Sequence, residues 1–481
     1  MDSAEALRDQ PAVEEAIAWA AVASAVEDAA VEVAEEAEAD ADNRPTIERA
    51  KKTAMKGTVR FLVILAVGTA LPSLGQVTSS SPSGQGNSDF EELPELQASE
   101  ILKPEFLKGQ YHTVQESVPT SSGMNRFTID SQFGAFEAEG NEMLVRRVGE
   151  IEAIGKLKEV SRTDVYKQAL AKAAKSPYES AKNIIRDPVN SIENVPKGVM
   201  KFMKGAGEKM KGIGKKEKSS DKSEGSQVEQ LIGYSNTKRK VAVSLGVDPY
   251  TTNSVLRKEL DGIAWATFAG GATFSVATLP VGGAAGVGLT VAGVSSSMNQ
   301  LLVEKSPEDL KAYNRQSLIA MGASGNEADR LLGNPAYTPT QQTAFVLNMK
   351  SLDGVANRKA FIRLAGMNSS SDADAIFCVQ TAAMLGKLHQ EIPLARIETI
   401  GDFPIAVAKD GTTVVALQWD YAAWTSGAAN FTQAVQNFAS EAPRNKKVVV
   451  ALSGQTSERL HRELEARGIQ LRDRYLPGPL K

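Results

Sequence analysis

Cysteine occurs once in the 481 residues, at Cys378. A single thiol excludes an intrachain disulfide framework and cannot build a metal site by itself. Within Ala375-Ile-Phe-Cys-Val-Gln380 it reads as a small buried hydrophobe rather than a nucleophile. Histidine is nearly as scarce: His112, His389 and His461 lie too far apart for ligand spacing, so no metal is expected. No Gly-Lys-Ser/Thr triplet occurs, and Gly286-Val-Gly288 lacks a third glycine and follows no strand. A phosphate loop is thereby excluded, and no cofactor is implied. Aromatic residues make up only 6% of the chain. Charge is missing altogether from Gly262 to Val303.

What is present divides unevenly. Residues 1–54 carry 14 acids against 5 bases, a net of −9, so the rest of the chain is net +5 within a total of −4. From Ala12 to Asp42 this leader is almost entirely Ala, Val, Glu and Asp, with acids facing every direction and little to pack. Met55-Lys-Gly-Thr-Val-Arg60 then precedes the apolar Phe61–Leu71 and Pro72-Ser-Leu-Gly-Gln76. A cationic lead, a short apolar run and small residues at Ser73 and Gly75 are the parts of a secretory signal. The run is shorter than the roughly 20 residues a membrane span requires. Residues 55–75 are therefore expected to be a signal peptide or signal anchor directing the chain to the periplasm or cell envelope. Met55 reads as the true start, with 1–54 a disordered or spurious leader. Residues 76–110, beginning with Ser/Gly/Pro-rich sequence, read as a flexible tether.

Residues 111–218 are expected to hold a small β-hairpin or meander, to about Gly140, followed by helices. Leu144, Val148, Ile151 and Ile154 step by three and four, predicting a helix to about Val160. A second helix, about 162–175, is expected behind Ser161 as its cap. Val195, Val199, Phe202, Met203, Ala206, Met210 and Ile213 form one stripe of a basic helix whose other faces are rich in lysine. Lys197, Lys201, Phe202, Lys204, Lys209 and Lys211 are the candidate contacts to an anionic membrane surface or a protein partner. The helix lacks interleaved aromatics, which argues against nucleic acid. Residues 219–226 read as a linker.

Residues 227–392 predict a helical domain organised around the uncharged stretch, folded in two at Leu279-Pro-Val-Gly-Gly283. Pairs such as Ala266/Gly270 and Gly288/Ala292 favour close helix approach. Glycine, serine and threonine offset the few Ile, Phe, Val and Leu, so insertion into lipid is marginal. A buried hairpin is expected, with a membrane-inserting or pore-forming hairpin over 263–303 as the alternative. Two turns echo each other: Leu245-Gly-Val-Asp-Pro-Tyr-Thr-Thr252 and Leu332-Gly-Asn-Pro-Ala-Tyr-Thr-Pro-Thr340. In each a Gly stops one helix, a Pro forbids continuation and a Thr stands ready to cap the next.

After Pro393 the period becomes alternating. Phe403–Ala408 and Thr412–Trp419 flank an Asp410-Gly411 turn, and helix, strand, helix and strand follow. The order β-β-α-β-α-β defines a small C-terminal α/β domain, 393–481. Ser453, Gly454 and Thr456 lie at a strand end before a helix capped by Thr456, where backbone amides can hold an anion. His461 falls within that same helix, and no Ser/His/Asp order accompanies the loop. The fold expected is α+β, a mostly helical body around an apolar Gly-rich hairpin with this α/β domain. The function expected is that of a non-enzymatic envelope protein, structural or interacting. An envelope enzyme using the 453–456 loop is a further alternative.

Overall fold

The computed structural model describes residues 89–174, 222–271, 296–441, 446–476 and 478–481, all within one unit, Asn87–Lys481. The acidic leader, the signal-like run, the basic helix with its six candidate contacts, and residues 272–295 of the uncharged stretch lie outside the described residues.

The chain is a mixed α+β protein with sheets at both ends of a helical middle. Strand β1 (Glu95–Gln97) and short helices α1 (Ala98–Ile101) and α2 (Pro104–Leu107) fall inside the stretch expected to be a tether. They fold because Ala98, Ile101, Leu102 and Phe106 have a core to enter. Strands β2 (His112–Val114), β3 (Ser117–Ser121), β4 (Met124–Ser131) and β5 (Gly134–Glu139) complete an antiparallel sheet in the order β1-β3-β4-β2, with β5 also paired to β4. Helix α3 (Asn141–Arg162) covers it, burying Leu144, Val148 and Ile151 as the spacing predicts. Ser161 lies inside α3, donating to Leu157 O, so it does not cap the next helix. Thr163 accepts from Tyr166 N and opens α4 (Asp164–Ala174).

Helix α5 (Lys222–Ser244) begins within the stretch read as a linker. Asn253, rather than either threonine before it, caps α6 (Ser254–Phe268) by accepting from Val255 N and Leu256 N. The beginning of the uncharged stretch therefore lies in protein, with Ile263, Ala264, Trp265 and Ala266 all buried. A Cβ on Gly270 would stand 2.5 Å from Ala169 O of α4, the close backbone approach its small neighbours favour. Helices α7 (Ser296–Glu304), α8 (Pro307–Ala320), α9 (Gly325–Gly333), α10 (Pro339–Lys350), α11 (Arg358–Asn368) and α12 (Asp372–Glu391) follow. Reciprocal capping boxes fix the starts of α9, α10 and α12, at Ser324/Glu327, Thr338/Gln341 and Ser371/Asp374.

The two echoing turns meet. Thr340 Oγ1 donates to Asp248 Oδ1 at 2.5 Å and Thr338 Oγ1 to Asp248 Oδ2 at 3.4 Å. Asp248 also accepts from Tyr250 N, and burial pushes its carboxyl above the ordinary value against those hydrogen bonds.

The C-terminal sheet runs β12-β10-β8-β7-β6. Its members are β6 (Leu394–Ile400), β7 (Phe403–Ala408), β8 (Thr413–Leu417), β10 (Val448–Leu452) and β12 (Ile469–Arg472). A two-residue β9 (Tyr421–Ala422) pairs in parallel with β11 (Gln455–Thr456) beside it. The pairs from β6 to β8 are antiparallel and those from β8 to β12 parallel. Strand β6 adds a third strand ahead of the two that alternation predicts. A register shift between Leu394 and Arg396 breaks its period. Helices α13 (Ser426–Ser440) and α14 (Glu458–Ala466) cover one face. Alternation along β8 divides its side chains: Val414 and Ala416 enter the core of the helical body, Val415 and Leu417 the core under α13 and α14. Helices and sheet thus share one core. Residues 479–481 cover the link between α1 and α2: Lys103 N donates to Pro479 O, Lys481 N to Ile101 O, and Leu480 is buried against Leu102.

Candidate functional site

Strand β8 ends at Leu417, and the chain then crosses toward the N-terminal sheet as Gln418-Trp-Asp-Tyr421. There it meets the turn between β3 and β4. Ser122 (φ 52°) and Gly123 (φ 81°) are both left-handed, as a two-residue type I′ hairpin requires. Gly123 O accepts from Asp420 N at 2.7 Å and Tyr421 N at 3.3 Å. A Cβ at Gly123 would sit 2.8 Å from the Trp419 ring, so the crossing fits glycine alone.

Asp420 is buried between the two sheets. Its Oδ2 accepts from Asn125 N and Asn141 N, both at 3.0 Å, and Oδ1 from Gln418 Nε2 at 3.1 Å. Asn141 opens α3, so a carboxylate from the far sheet caps that helix. Burial pushes the Asp420 carboxyl up to about 7, against the hydrogen bonds from Asn125, Asn141 and Gln418 and helped by the charge of Glu142. The carboxylate is buried and its oxygens are engaged by three donors within the protein. Asp420 is a clamp.

The predicted anion loop lies against the same crossing. Ser453 N donates to Leu417 O, Gly454 N to Trp419 O, Gln455 N to Asp420 O and Ser457 N to Ala422 O. Ser453 Oγ donates to Trp419 O at 2.8 Å, and a Cβ on Gly454 would meet Asp420 O at 2.0 Å. The amides of Ser453 and Gly454 that an anion would need are therefore engaged within the protein. Thr456 sits in β11, and Ser457 caps α14 in its place, its hydroxyl accepting from Leu460 N and donating to Glu91 Oε2. Glu91 also accepts from Trp424 N, pinning residues 89–93 along this unit. His112 and His389 each bond a nearby backbone group, and His461 lies exposed on α14.

Beside the crossing opens a cleft of about 690 Å³, bounded by the β3–β4 turn, α11, α12, β7 and α13. Five half-buried aromatic residues line it: Phe377, Phe403, Trp419, Tyr421 and Phe431. Phe403 stands at the centre. Its ring lies 6.1 Å from Phe377 at 75°, 6.2 Å from Trp419 at 87° and 4.9 Å from Phe431 at 60°. Rings set at such angles form the corners of a box rather than a stack. The rings come from α12, β7, the crossing (Trp419 and Tyr421) and α13, so only Trp419-Asp-Tyr421 brings two of them together in the sequence.

Cys378 lies beneath the cleft, buried among the apolar side chains of α12. Burial pushes its thiol up to about 11, outweighing hydrogen bonds with Tyr337 and Ser369. A thiol so placed stays protonated and unreactive at neutral pH. Asp374 stands at the cleft edge, its Oδ2 accepting from Ser370 N, Ser370 Oγ and Ser371 N at 2.9–3.0 Å. Burial pushes that carboxyl up, yet these hydrogen bonds outweigh it and hold it below the ordinary value.

No known family, curated protein or solved structure matches the chain.

The site must therefore speak through its own chemistry. Among the described residues no group of His, Cys, Asp and Glu is placed to hold a metal ion, and no helix is long and apolar enough to cross a membrane.

Proposed function

We propose that the chain is an exported cell-envelope protein, non-enzymatic, that works by binding a ligand in the Phe403 cleft. The observation that carries this reading is the aromatic box itself. Five half-buried rings around about 690 Å³ leave apolar surface at the bottom of a concavity, the usual form of a small-molecule site. Its polar groups are placed to recognise rather than to react. Asp374 is occupied in capping, and the thiol below is held in its neutral form. Export is supported by the cationic, apolar and small-residue succession of residues 55–75. The basic stripe of 195–218 supports peripheral contact with an anionic membrane surface.

Titration of the full chain with an environment-sensitive apolar dye tests the cleft. One dye per chain is expected, with affinity reduced about tenfold or more in Phe403→Ala and Trp419→Ala variants that retain the wild-type circular dichroism. Undiminished binding in both variants would remove the cleft from the account. Amino-terminal sequencing of the product recovered from cells tests export, and a mature terminus near Gln76 is expected.

A further inference from the structure

The charge around the box is one-sided. Glu139, Asp374 and Asp402 line the cleft, and no Lys, Arg or His is among the described residues lining it. These acids come from β5, from the first turn of α12 and from the loop before β7, so the fold gathers them from three elements. Asp402 is exposed and held by Asn368 Nδ2 at 2.8 Å. Glu139 has a partner 3.6 Å away in Arg126, but both side chains are about half exposed, so water screens that pair. Asp374 is held by neutral donors from Ser370 and Ser371, which orient its carboxylate without cancelling its charge. Below the acids the rings of Phe377, Trp419 and Phe431 meet Phe403 at 60° to 87°, an arrangement that offers ring faces from several directions.

A ring face and a carboxylate attract the same thing, positive charge. Among cations the two select differently. A small, strongly hydrated ion gains little from apolar walls, whereas an organic cation replaces its weak hydration with ring faces and buries its apolar part. We propose that the cleft binds a small amphipathic organic cation of the substituted-ammonium class, its charge directed toward Asp374 and Asp402 and its apolar body in the Phe403 box. This rests on the reading of the cleft as a ligand site and adds the ligand's charge. Charge complementarity is what commits the site to this occupant. An anionic molecule of the same size fits the volume but meets three carboxylates and no basic side chain among the described lining residues, and a neutral one gains nothing from those charges.

Calorimetric titration of the full chain with 4-phenylbutyltrimethylammonium and with 4-phenylbutanol separates the two layers of the argument. The cation is expected to bind about three- to fivefold more tightly than the alcohol, the margin of a partly exposed ammonium–carboxylate attraction. Asp402→Asn is expected to reduce the cation's affinity about threefold and leave the alcohol unchanged. Phe403→Ala should weaken both. Asp374→Asn is expected to act like Asp402→Asn, but because Asp374 caps α12 the exposed Asp402 carries the test if that variant fails to fold. Equal affinity for the two ligands, both lost in Phe403→Ala, would overturn the cationic assignment and leave the cleft as a ligand site. Cation binding unaffected by both Phe403→Ala and Asp402→Asn would place the cation elsewhere on the chain and overturn the proposal. Binding of neither ligand up to millimolar concentration would overturn the proposal and the reading beneath it.

Discussion

Asp420 Oδ2 lies 3.0 Å from the backbone nitrogen of Asn141, a residue 279 positions earlier. One buried carboxylate thereby caps α3, a helix of 22 residues, against the N-terminal sheet and ties it to the C-terminal sheet. The cost of that clamp is electrostatic. A folded protein that keeps this proton to about pH 7, where an unfolded chain releases it near 3.8, is stabilised by it at low pH.

The sign follows directly. Asp420's contribution is complete below about pH 4 and is lost as pH rises from there to about 7. A displacement of this size is worth on the order of 4 kcal/mol. Asp420→Asn removes the titration and keeps an oxygen for the Asn125 and Asn141 amides. Its amide can also reach Gln418 Oε1, which is buried without a partner. The variant is expected to match or exceed wild-type stability at pH 8 and to fall behind it near pH 4.5. Thermal melts across that range check this, and a constant gap between the two proteins would refute it.

Gly454→Ala is expected to be severe. The new methyl would meet Asp420 O at 2.0 Å, and backbone cannot step aside as a flexible side chain can. Overpacking of this kind costs about 3 kcal/mol or more. Urea unfolding should show a lower midpoint at unchanged slope, and weaker dye binding in the cleft should follow because Trp419 and Tyr421 flank the displaced residue.

Thr340→Val tests the meeting of the two turns. The substitution keeps shape and deletes the donor to Asp248 Oδ1, leaving a half-buried carboxylate short of a hydrogen bond. A loss of about 1–3 kcal/mol is expected. Burial already raises the Asp248 carboxyl with Thr340 as the first opposing influence, so its pKa should climb further. The deficit measured by chemical denaturation should therefore shrink as pH is lowered. A deficit independent of pH would show that Asp248 does not depend on Thr340.

The helical character of residues 307–391 was readable because four of the helix starts carry their own chemistry: Ser306 before Pro307, Ser324 with Glu327, Thr338 with Gln341, Ser371 with Asp374; α11 begins at Asn357 without a side-chain cap. Local signals fail where partners are distant. Residues 95–107 read as tether because their apolar positions have no period of their own; they are ordered by Val118 and Leu480 across the chain. Strand β6 escaped notice because the bulge near Arg396 resets its alternation. Ser453 and Gly454 drew attention through position, yet their amides turn inward to the 417–420 crossing, which nothing in the loop itself reveals. The aromatic cleft was the least legible feature. Its rings are spread from Phe377 to Phe431, and the one local hint is Trp419-Asp-Tyr421 directly beyond a fully buried strand.

The bonds joining residues 101–103 to residues 478–481 impose an order in time. Lys103 Nζ reaches Gly478 O across 375 positions, so the link between α1 and α2 stays without its partner until residues 478–481 have been synthesised. Contacts of such separation form late and slowly. Until then Leu102 lacks the cover of Leu480, so the packing of α1 and α2 is completed by residues made long after them.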